Sequence, residues 1–232
     1  MKQPDVASGP SELTTMAYRV VLISALFLFL AGVLAIPSYY ETTTLWYKIG
    51  IDKTMLKAGQ FVGLVALVLI YLQLILSTRG QFLDNVFGAG SLIRLHRING
   101  ILIVFMACSH ILLVLIPEGI SNLPIGKKFW PEMVGATLFL LIFIIAVTSH
   151  FREKLRLPYK TWRFFHKPMG YLVLFLVTIH VLFVSESFEQ SLPKTFIIAA
   201  CIILVMWIAA VKWSSHKTSH TKHNTKNHSK RQ

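Results

Sequence analysis

The sequence predicts an all-α fold, a polytopic membrane bundle of six helices with both termini in the cytoplasm. Composition, the length of the apolar stretches and the placement of basic residues predict it. Of the 232 residues, 54% are hydrophobic and 14% are charged, whereas soluble domains are about 25% charged. A bilayer core requires about 20 mostly apolar residues per helix. Six stretches meet or approach that length, at residues 20–36, 61–76, 98–116, 133–148, 169–184 and 195–211.

The basic residues are unevenly divided between the two sides of such a bundle. Seventeen of the 23 Lys and Arg residues fall in the termini or in connections on the same side as the termini. Because Lys and Arg accumulate in cytoplasmic segments, both termini are predicted to be cytoplasmic. Residues 1–15 then form an N-terminal tail, 16–213 the transmembrane domain, and 214–232 a basic, His-rich tail. We expect that last tail to be disordered, because it is polar and poor in apolar residues.

The net charge of +13 would suggest nucleic-acid binding in a soluble protein. Here the charge lies in loops and tails, where membrane topology explains it, so we expect membrane lipids and no nucleic acid as partners. The two cysteines, Cys108 and Cys201, both lie inside apolar stretches. Their number and placement argue against a disulfide framework and against a Cys-based metal site.

Two segments repeat at an offset of 70 residues. One is LHRINGILIVFMACSHILLVL, from Leu95, and the other is FHKPMGYLVLFLVTIHVLFVS, from Phe165. In both, a His is followed by a basic residue, by a Gly four positions on, and by a second His 14 positions on. The matched positions are His96 and His166, Arg97 and Lys167, Gly100 and Gly170, and His110 and His180.

The 14-residue spacing places both histidines of a segment on one side of a helix. Fourteen residues rise about 21 Å and return to within roughly 40° of the starting face. The two segments lie in the third and fifth stretches, which cross the membrane in the same direction. We therefore predict two facing imidazole pairs stacked along the membrane normal, His96 with His166 near the cytoplasm and His110 with His180 nearer the outside.

Facing imidazoles of this kind are suited to heme iron. Two neutral imidazoles can fill both axial positions of a porphyrin iron, which favours electron transfer over direct ligand chemistry. A single intramembrane His could instead hydrogen-bond a neighbouring helix, but ionisable residues in membrane helices are functional candidates. Because the four histidines occur in two matched segments, the sequence predicts one b-type heme on each pair.

Other residues near the histidines have more than one explanation. Gly100 and Gly170 could let a flat macrocycle approach the backbone, or could serve helix packing. Phe105 and Phe175, between the two levels, could line the path between hemes, but we expect core or lipid packing for them, and His150 is expected to be interfacial. Four basic residues could pair with heme propionates or could only reflect the cytoplasmic bias; they are Arg94, Arg97, Arg163 and Lys167.

The paired segments resemble the ferric reductase-like transmembrane domain family, over about residues 16–213. That family includes the membrane halves of NADPH oxidases and ferric-chelate reductases, and the heme subunit of the bacterial methionine sulfoxide reductase system. The resemblance implies that His96 and His166 hold an inner heme b and that His110 and His180 hold an outer one. It also implies an integral protein of the bacterial inner membrane that transfers electrons.

The sequence departs from the oxidases after the sixth stretch. The oxidases continue into a cytoplasmic flavin and nicotinamide module, whereas only about twenty residues follow here and no nucleotide fingerprint is present. We therefore expect a separate cytoplasmic flavin reductase, bringing FAD or FMN, or another donor such as a quinol. The compact form is similar to the methionine sulfoxide reductase heme subunit, which generally lacks a His at the place of His96.

Three functions stay open from the sequence. The leading one is electron transfer from a cytoplasmic donor to an external acceptor. The second is a heme-binding membrane anchor for a periplasmic reductase, such as one that repairs oxidised methionine. The third is a non-enzymatic heme sensor or assembly factor. An unrelated transporter ranks last, because transport sites are typically marked by broken helices in matched halves.

Overall fold

The computed structural model describes residues 12–78, 80–119 and 123–229. Within these ranges the chain is helical and contains no strand, as the sequence predicts. Short 3-10 turns lie in the connections. The α-helices of the described residues are α1 (Glu12–Tyr39), α2 (Gly50–Thr78), α3 (Gln81–Phe87), α4 (Ala89–Glu118), α5 (Trp130–His150), α6 (Tyr159–Val184) and α7 (Ser191–Ser229).

Six of these helices are long and apolar enough to cross a membrane, which confirms the predicted number of spans in the described chain. They are α1, α2, α4, α5, α6 and α7. Helices suit this environment because every backbone N–H and C=O finds its partner within the segment. The exception is α3, whose seven residues are far fewer than the about 20 that a bilayer requires.

Helix α2 lies at the centre of the bundle. In its most apolar window 44% of the residues are buried, whereas the corresponding windows of the other spans are 6–22% buried. Leu67 of α2 is fully buried, together with Val33 of α1 and Ile197 of α7. The other spans are less buried and present apolar side chains outward, as lipid-facing helices do.

The short helix α3 lies in the connection between α2 and α4 and was not predicted. It is fastened to α1, because Arg19 donates from Nε to the backbone oxygen of Val86 at 2.6 Å. Gly88 separates α3 from α4 and has a φ of +81°, a conformation that glycine adopts without strain. The chain therefore turns into α4 at a defined point, which orients the segment that carries His96.

The connections on the side opposite the termini are tied to each other. Thr43 donates from its backbone N and from Oγ1 to Oε2 of Glu186, both at 2.7 Å. Ser187 donates from Oγ to the backbone oxygen of Tyr40 at 2.6 Å. These bonds join the α1–α2 connection to the α6–α7 connection across that end of the bundle.

The last helix continues beyond the apolar stretch. Its assigned range reaches Ser229, within the segment for which the sequence predicts disorder. The side chains after Ser214 lie outside the described part of the structure. The disorder of residues 214–232 stays a prediction.

Candidate functional site

Helices α4 and α6 bring together both predicted histidine pairs. The ring centroids of His96 and His166 are 6.4 Å apart with an angle of 69° between the planes. Those of His110 and His180 are also 6.4 Å apart, with an angle of 82°. Following the predicted orientation, we call His96 and His166 the inner pair and His110 and His180 the outer pair. Each pair joins one residue of α4 to one of α6.

The outer pair is oriented by backbone carbonyls of two flanking helices. His110 Nδ1 lies 2.8 Å from the carbonyl oxygen of Gly59 in α2. His180 Nδ1 lies 2.9 Å from the carbonyl oxygen of Pro131 in α5. Because a carbonyl oxygen only accepts, both Nδ1 atoms carry the hydrogen and donate it. In the neutral rings Nε2 therefore keeps its lone pair, and Nε2 is the atom that a metal would bind.

Two glycines leave the space that the outer rings occupy. A Cβ at Gly63 would lie 2.8 Å from Nδ1 and 2.9 Å from Cε1 of His110. A Cβ at Gly135 would collide with Cε1 of His180 and lie 2.7 Å from its Nδ1. Glycine is needed at both positions because of this close approach. Sequence reasoning missed these two glycines. Each lies four residues after the residue whose carbonyl accepts from the ring, Gly63 after Gly59 and Gly135 after Pro131.

His166, the α6 member of the inner pair, is held by side chains of α5 and α6. His166 Nδ1 lies 3.2 Å from Oγ of Ser149. That hydroxyl donates its own hydrogen to the backbone oxygen of Ile145 at 2.5 Å, so its oxygen is left to accept from His166. Trp162 stacks on the same imidazole, with centroids 4.5 Å apart and an angle of 30°. Ser149 and Trp162 were not predicted as site residues.

On the α4 side, an amide network joins the inner pair to α2. Gln73 donates from Nε2 to the backbone oxygen of His96 at 3.0 Å, and the same nitrogen lies 3.4 Å from His96 Nε2. Asn99 donates from Nδ2 to Gln73 Oε1 at 2.7 Å and to the backbone oxygen of Leu69 at 2.8 Å. Asn99 is only 5% exposed. Sequence reasoning overlooked Gln73 and Asn99, although both amides lie inside apolar stretches. Polar side chains in such stretches need hydrogen-bond partners.

The two glycines predicted near the inner pair face α2. A Cβ at Gly100 would lie 3.2 Å from Nε2 of Gln73, and one at Gly170 would lie 3.7 Å from Cδ2 of Leu74. Side chains of α2 fill the space beside both glycines. This placement favours helix packing, the second of the two explanations that the sequence left open.

The predicted basic residues lie at the same end of the bundle as the inner pair and are exposed. They are Arg94, Arg97, Arg163 and Lys167. Their pairing with propionates stays a prediction. Phe105 and Phe175 are each 62% exposed, which agrees with packing against lipid. His150 ends α5 and is exposed, beside Phe151.

A cavity of about 220 Å³ adjoins His166 between α5 and α6. Its walls are mainly apolar and include Trp162, Phe165 and Ile145. The indole Nε1 of Trp162 is buried and has no hydrogen-bond partner among the described residues. The inner pair therefore has space beside it, together with one unused hydrogen-bond donor.

The six apolar helices of the described chain define a polytopic membrane protein. Two of them carry matched histidines, which face each other at two levels within the bundle. The family model of the ferric reductase like transmembrane component matches residues 62–177, half of the chain. The chain belongs to this family, and its membership indicates a membrane component of redox electron transfer. The match includes His96, His110 and His166, whereas His180 follows it. No curated protein and no solved structure matches the chain.

Proposed function

We propose that this chain is a di-heme b-type membrane cytochrome. It carries electrons from a cytoplasmic flavin reductase or other donor across the membrane to an external acceptor. The observation that supports the proposal is the pair of equal separations, 6.4 Å between ring centroids at both histidine pairs. Two unrelated packing contacts between α4 and α6 would have no reason to place imidazoles at the same distance.

The separation fits an iron held between two imidazoles. Two metal–imidazole bonds of about 2 Å each, together with the radii of two five-membered rings, span roughly 6 Å. In the described part of the chain, no group of three or more His, Cys, Asp or Glu residues could hold a bare metal ion. A pair of histidines is instead enough for a heme, because the porphyrin supplies the remaining ligands. Bound heme would supply reversible one-electron chemistry at its iron.

The chain's own residues select the ligating nitrogen. The carbonyls of Gly59 and Pro131 accept from Nδ1 of the outer histidines, and Ser149 accepts from Nδ1 of His166. Each bond leaves Nε2 unprotonated in the neutral ring. Hydrogen bonds to the distal ring nitrogen also make the imidazole more basic and fix its orientation. Three of the four histidines would therefore hold a heme through Nε2, the nitrogen that these bonds leave unprotonated.

The two levels divide the distance across the membrane. The histidines of α4 are 14 residues apart, which corresponds to about 21 Å along a helix. The inner pair lies at the end that carries the exposed basic residues, where a cytoplasmic partner could approach. In this proposal both termini are cytoplasmic, the membrane is the bacterial inner membrane, and FAD or FMN belongs to the partner.

Heme content and its optical spectrum test the proposal directly. The purified protein should contain two hemes per chain with a low-spin, bis-imidazole spectrum. His110→Ala should remove one heme and leave the inner one, and His166→Ala should do the reverse. His150→Ala is the matched control, because His150 belongs to neither pair. A wild-type heme content near zero would contradict the proposal.

A second experiment tests transfer across the bilayer. Proteoliposomes would contain ferricyanide inside and receive a flavin reductase with its reductant outside. For molecules with their termini outward, the wild type should reduce the trapped ferricyanide. His110→Ala should allow reduction of the inner heme but stop the loss of ferricyanide. Unimpaired transfer by His110→Ala would contradict the assigned route, and hemes that no donor reduces would favour a sensor or assembly factor.

A further inference from the structure

Each outer histidine rests on one turn of a flanking helix in the same way. His110 donates to the carbonyl of Gly59 and lies against Gly63, four residues later. His180 donates to the carbonyl of Pro131 and lies against Gly135, again four residues later. The two contacts involve different helices, α2 and α5, yet they have the same spacing and the same ring nitrogen.

The four-residue spacing has a geometric cause. In an α-helix each Cα–Cβ bond tilts toward the N-terminus, so a side chain covers the turn that precedes it. A side chain at position i+4 therefore lies over the carbonyl of residue i. At Gly63 and Gly135 no side chain is present, and the carbonyls of Gly59 and Pro131 stay accessible from the side. An imidazole of another helix can then reach them.

We propose that Gly63 and Gly135 are positioning residues of the outer heme site. Each uncovers the one carbonyl that holds an outer histidine as its Nδ1–H form and directs Nε2 to the iron. The proposal rests on the proposed function, because it assigns these glycines to the site at which His110 and His180 bind heme. They touch the ligand ring and act through it.

The effect should be confined to the outer site. On the inner level, the hydroxyl of Ser149 holds His166, and the amide of Gln73 bonds the backbone of His96. Side chains such as these can adjust their torsions when a neighbour changes. A backbone carbonyl inside a helix cannot turn to follow a displaced ring, so the outer histidines depend on the glycines beneath them.

Alanine substitutions test the proposal in the full-length, heme-loaded protein. In Gly63→Ala and Gly135→Ala the added Cβ would lie closer to the imidazole than van der Waals contact allows, so the ring must move away from its carbonyl. Gly90→Ala is the matched control, because Gly90 is a helical glycine of α4 whose Cβ position meets nothing within 4 Å. The readouts are hemes per chain, the low-spin electron paramagnetic resonance signals and the two midpoint potentials.

The expected result is a loss that affects only the outer heme. Gly63→Ala and Gly135→Ala should fall from two hemes per chain toward one, or should retain two with a shifted outer potential and an altered outer resonance signal. The inner signal should stay unchanged, and Gly90→Ala should match the wild type. Two hemes with unchanged outer signals in both glycine variants would overturn the inference. A wild type without heme would instead refute the proposed function.

A mutant cycle keeps the inference testable if Gly63→Ala lowers folding yield. If Gly63 matters because of the imidazole, removing that ring should relieve the added methyl group. Gly63→Ala should then lower the melting temperature of the wild type but leave that of His110→Ala nearly unchanged, a non-additive result. Equal losses in both backgrounds would show that Gly63 serves general helix packing, which would overturn its positioning role.

Discussion

The indole of Trp162 lies nearly parallel to the imidazole of His166, one helical turn away, with ring centroids 4.5 Å apart. The two residues belong to the same helix, α6, and the indole lines the cavity that adjoins His166, with its Nε1 atom buried. A stacked aromatic ring restricts the rotation of an imidazole about its side-chain torsions. Trp162 therefore stabilises the orientation of His166, in addition to the hydrogen bond that His166 Nδ1 donates to Ser149.

In the proposed di-heme protein, replacing Trp162 should weaken the inner heme site selectively. Trp162→Leu removes the flat surface against His166, so we expect a lower occupancy of the inner heme, whereas Trp162→Phe should retain most of it. The outer heme should stay at one per chain. Heme content and potentiometric titration measure both sites. Trp46→Leu is the control, since Trp46 is 64% exposed on the opposite side. Equal inner occupancy in Trp162→Leu and the wild type would argue against this role.

Ser149 offers a more local test of the same ligand. Ser149→Ala removes the acceptor of the His166 Nδ1–H group, which makes the imidazole a weaker base. A weaker ligand stabilises ferric iron less, so the midpoint potential of the inner heme should rise while that of the outer heme stays constant. Potentiometric titration measures both values. Thr137→Ala is the control, because the Thr137 hydroxyl bonds its own helix at the backbone oxygen of Met133; an equal shift in that variant would contradict the role of Ser149.

The fold was largely predictable because hydropathy and helix length are local properties of the sequence. Each membrane span needs about 20 apolar residues, and the six stretches satisfied that condition separately. Helix α3 was missed because seven residues are too few for a periodic pattern to emerge. Its position depends instead on the bond between Arg19 and the Val86 carbonyl, which joins residues far apart in the chain.

The histidine pairs were predictable for a related reason. The spacing within α4 recurs within α6, so two parallel helices with the same register place their histidines at matching levels. The partners of these rings lie on other helices, and the outer ones share only a carbonyl followed four residues later by a glycine. Gly63 and Gly135 matter only because of carbonyls that His110 and His180 reach from other helices, and single-helix periodicity contains no information about that approach. Gly100 and Gly170 were noticed because they lie within the repeat, yet they face α2.

The amide network between α2 and α4 should contribute to stability independently of heme. Asn99→Leu removes both hydrogen bonds of a side chain that is only 5% exposed, and it leaves Oε1 of Gln73 without this donor. Hydrogen bonds between membrane helices contribute about 0.6 kcal/mol on average, up to about 1.7. We therefore expect the free energy of unfolding to fall by about 1 kcal/mol. Thermal unfolding of the heme-free protein measures it. Ser77→Ala, which removes a bond within α2 only, should cost less; an equal cost would contradict the interhelical role.

The tie between Thr43 and Glu186 should hold the α1–α2 connection in place. Glu186 Oε2 accepts from both the backbone N and Oγ1 of Thr43 at 2.7 Å, and such charge-assisted bonds are stronger than neutral ones. Glu186→Ala should therefore raise the hydrogen-exchange rate of the Thr43 amide several-fold, because that amide loses its acceptor. Glu189→Gln is the control, since Glu189 is an exposed carboxylate of the same connection. The effect should not extend to heme content, because these residues touch neither histidine pair. An unchanged exchange rate in Glu186→Ala would show that the backbone alone fixes this connection.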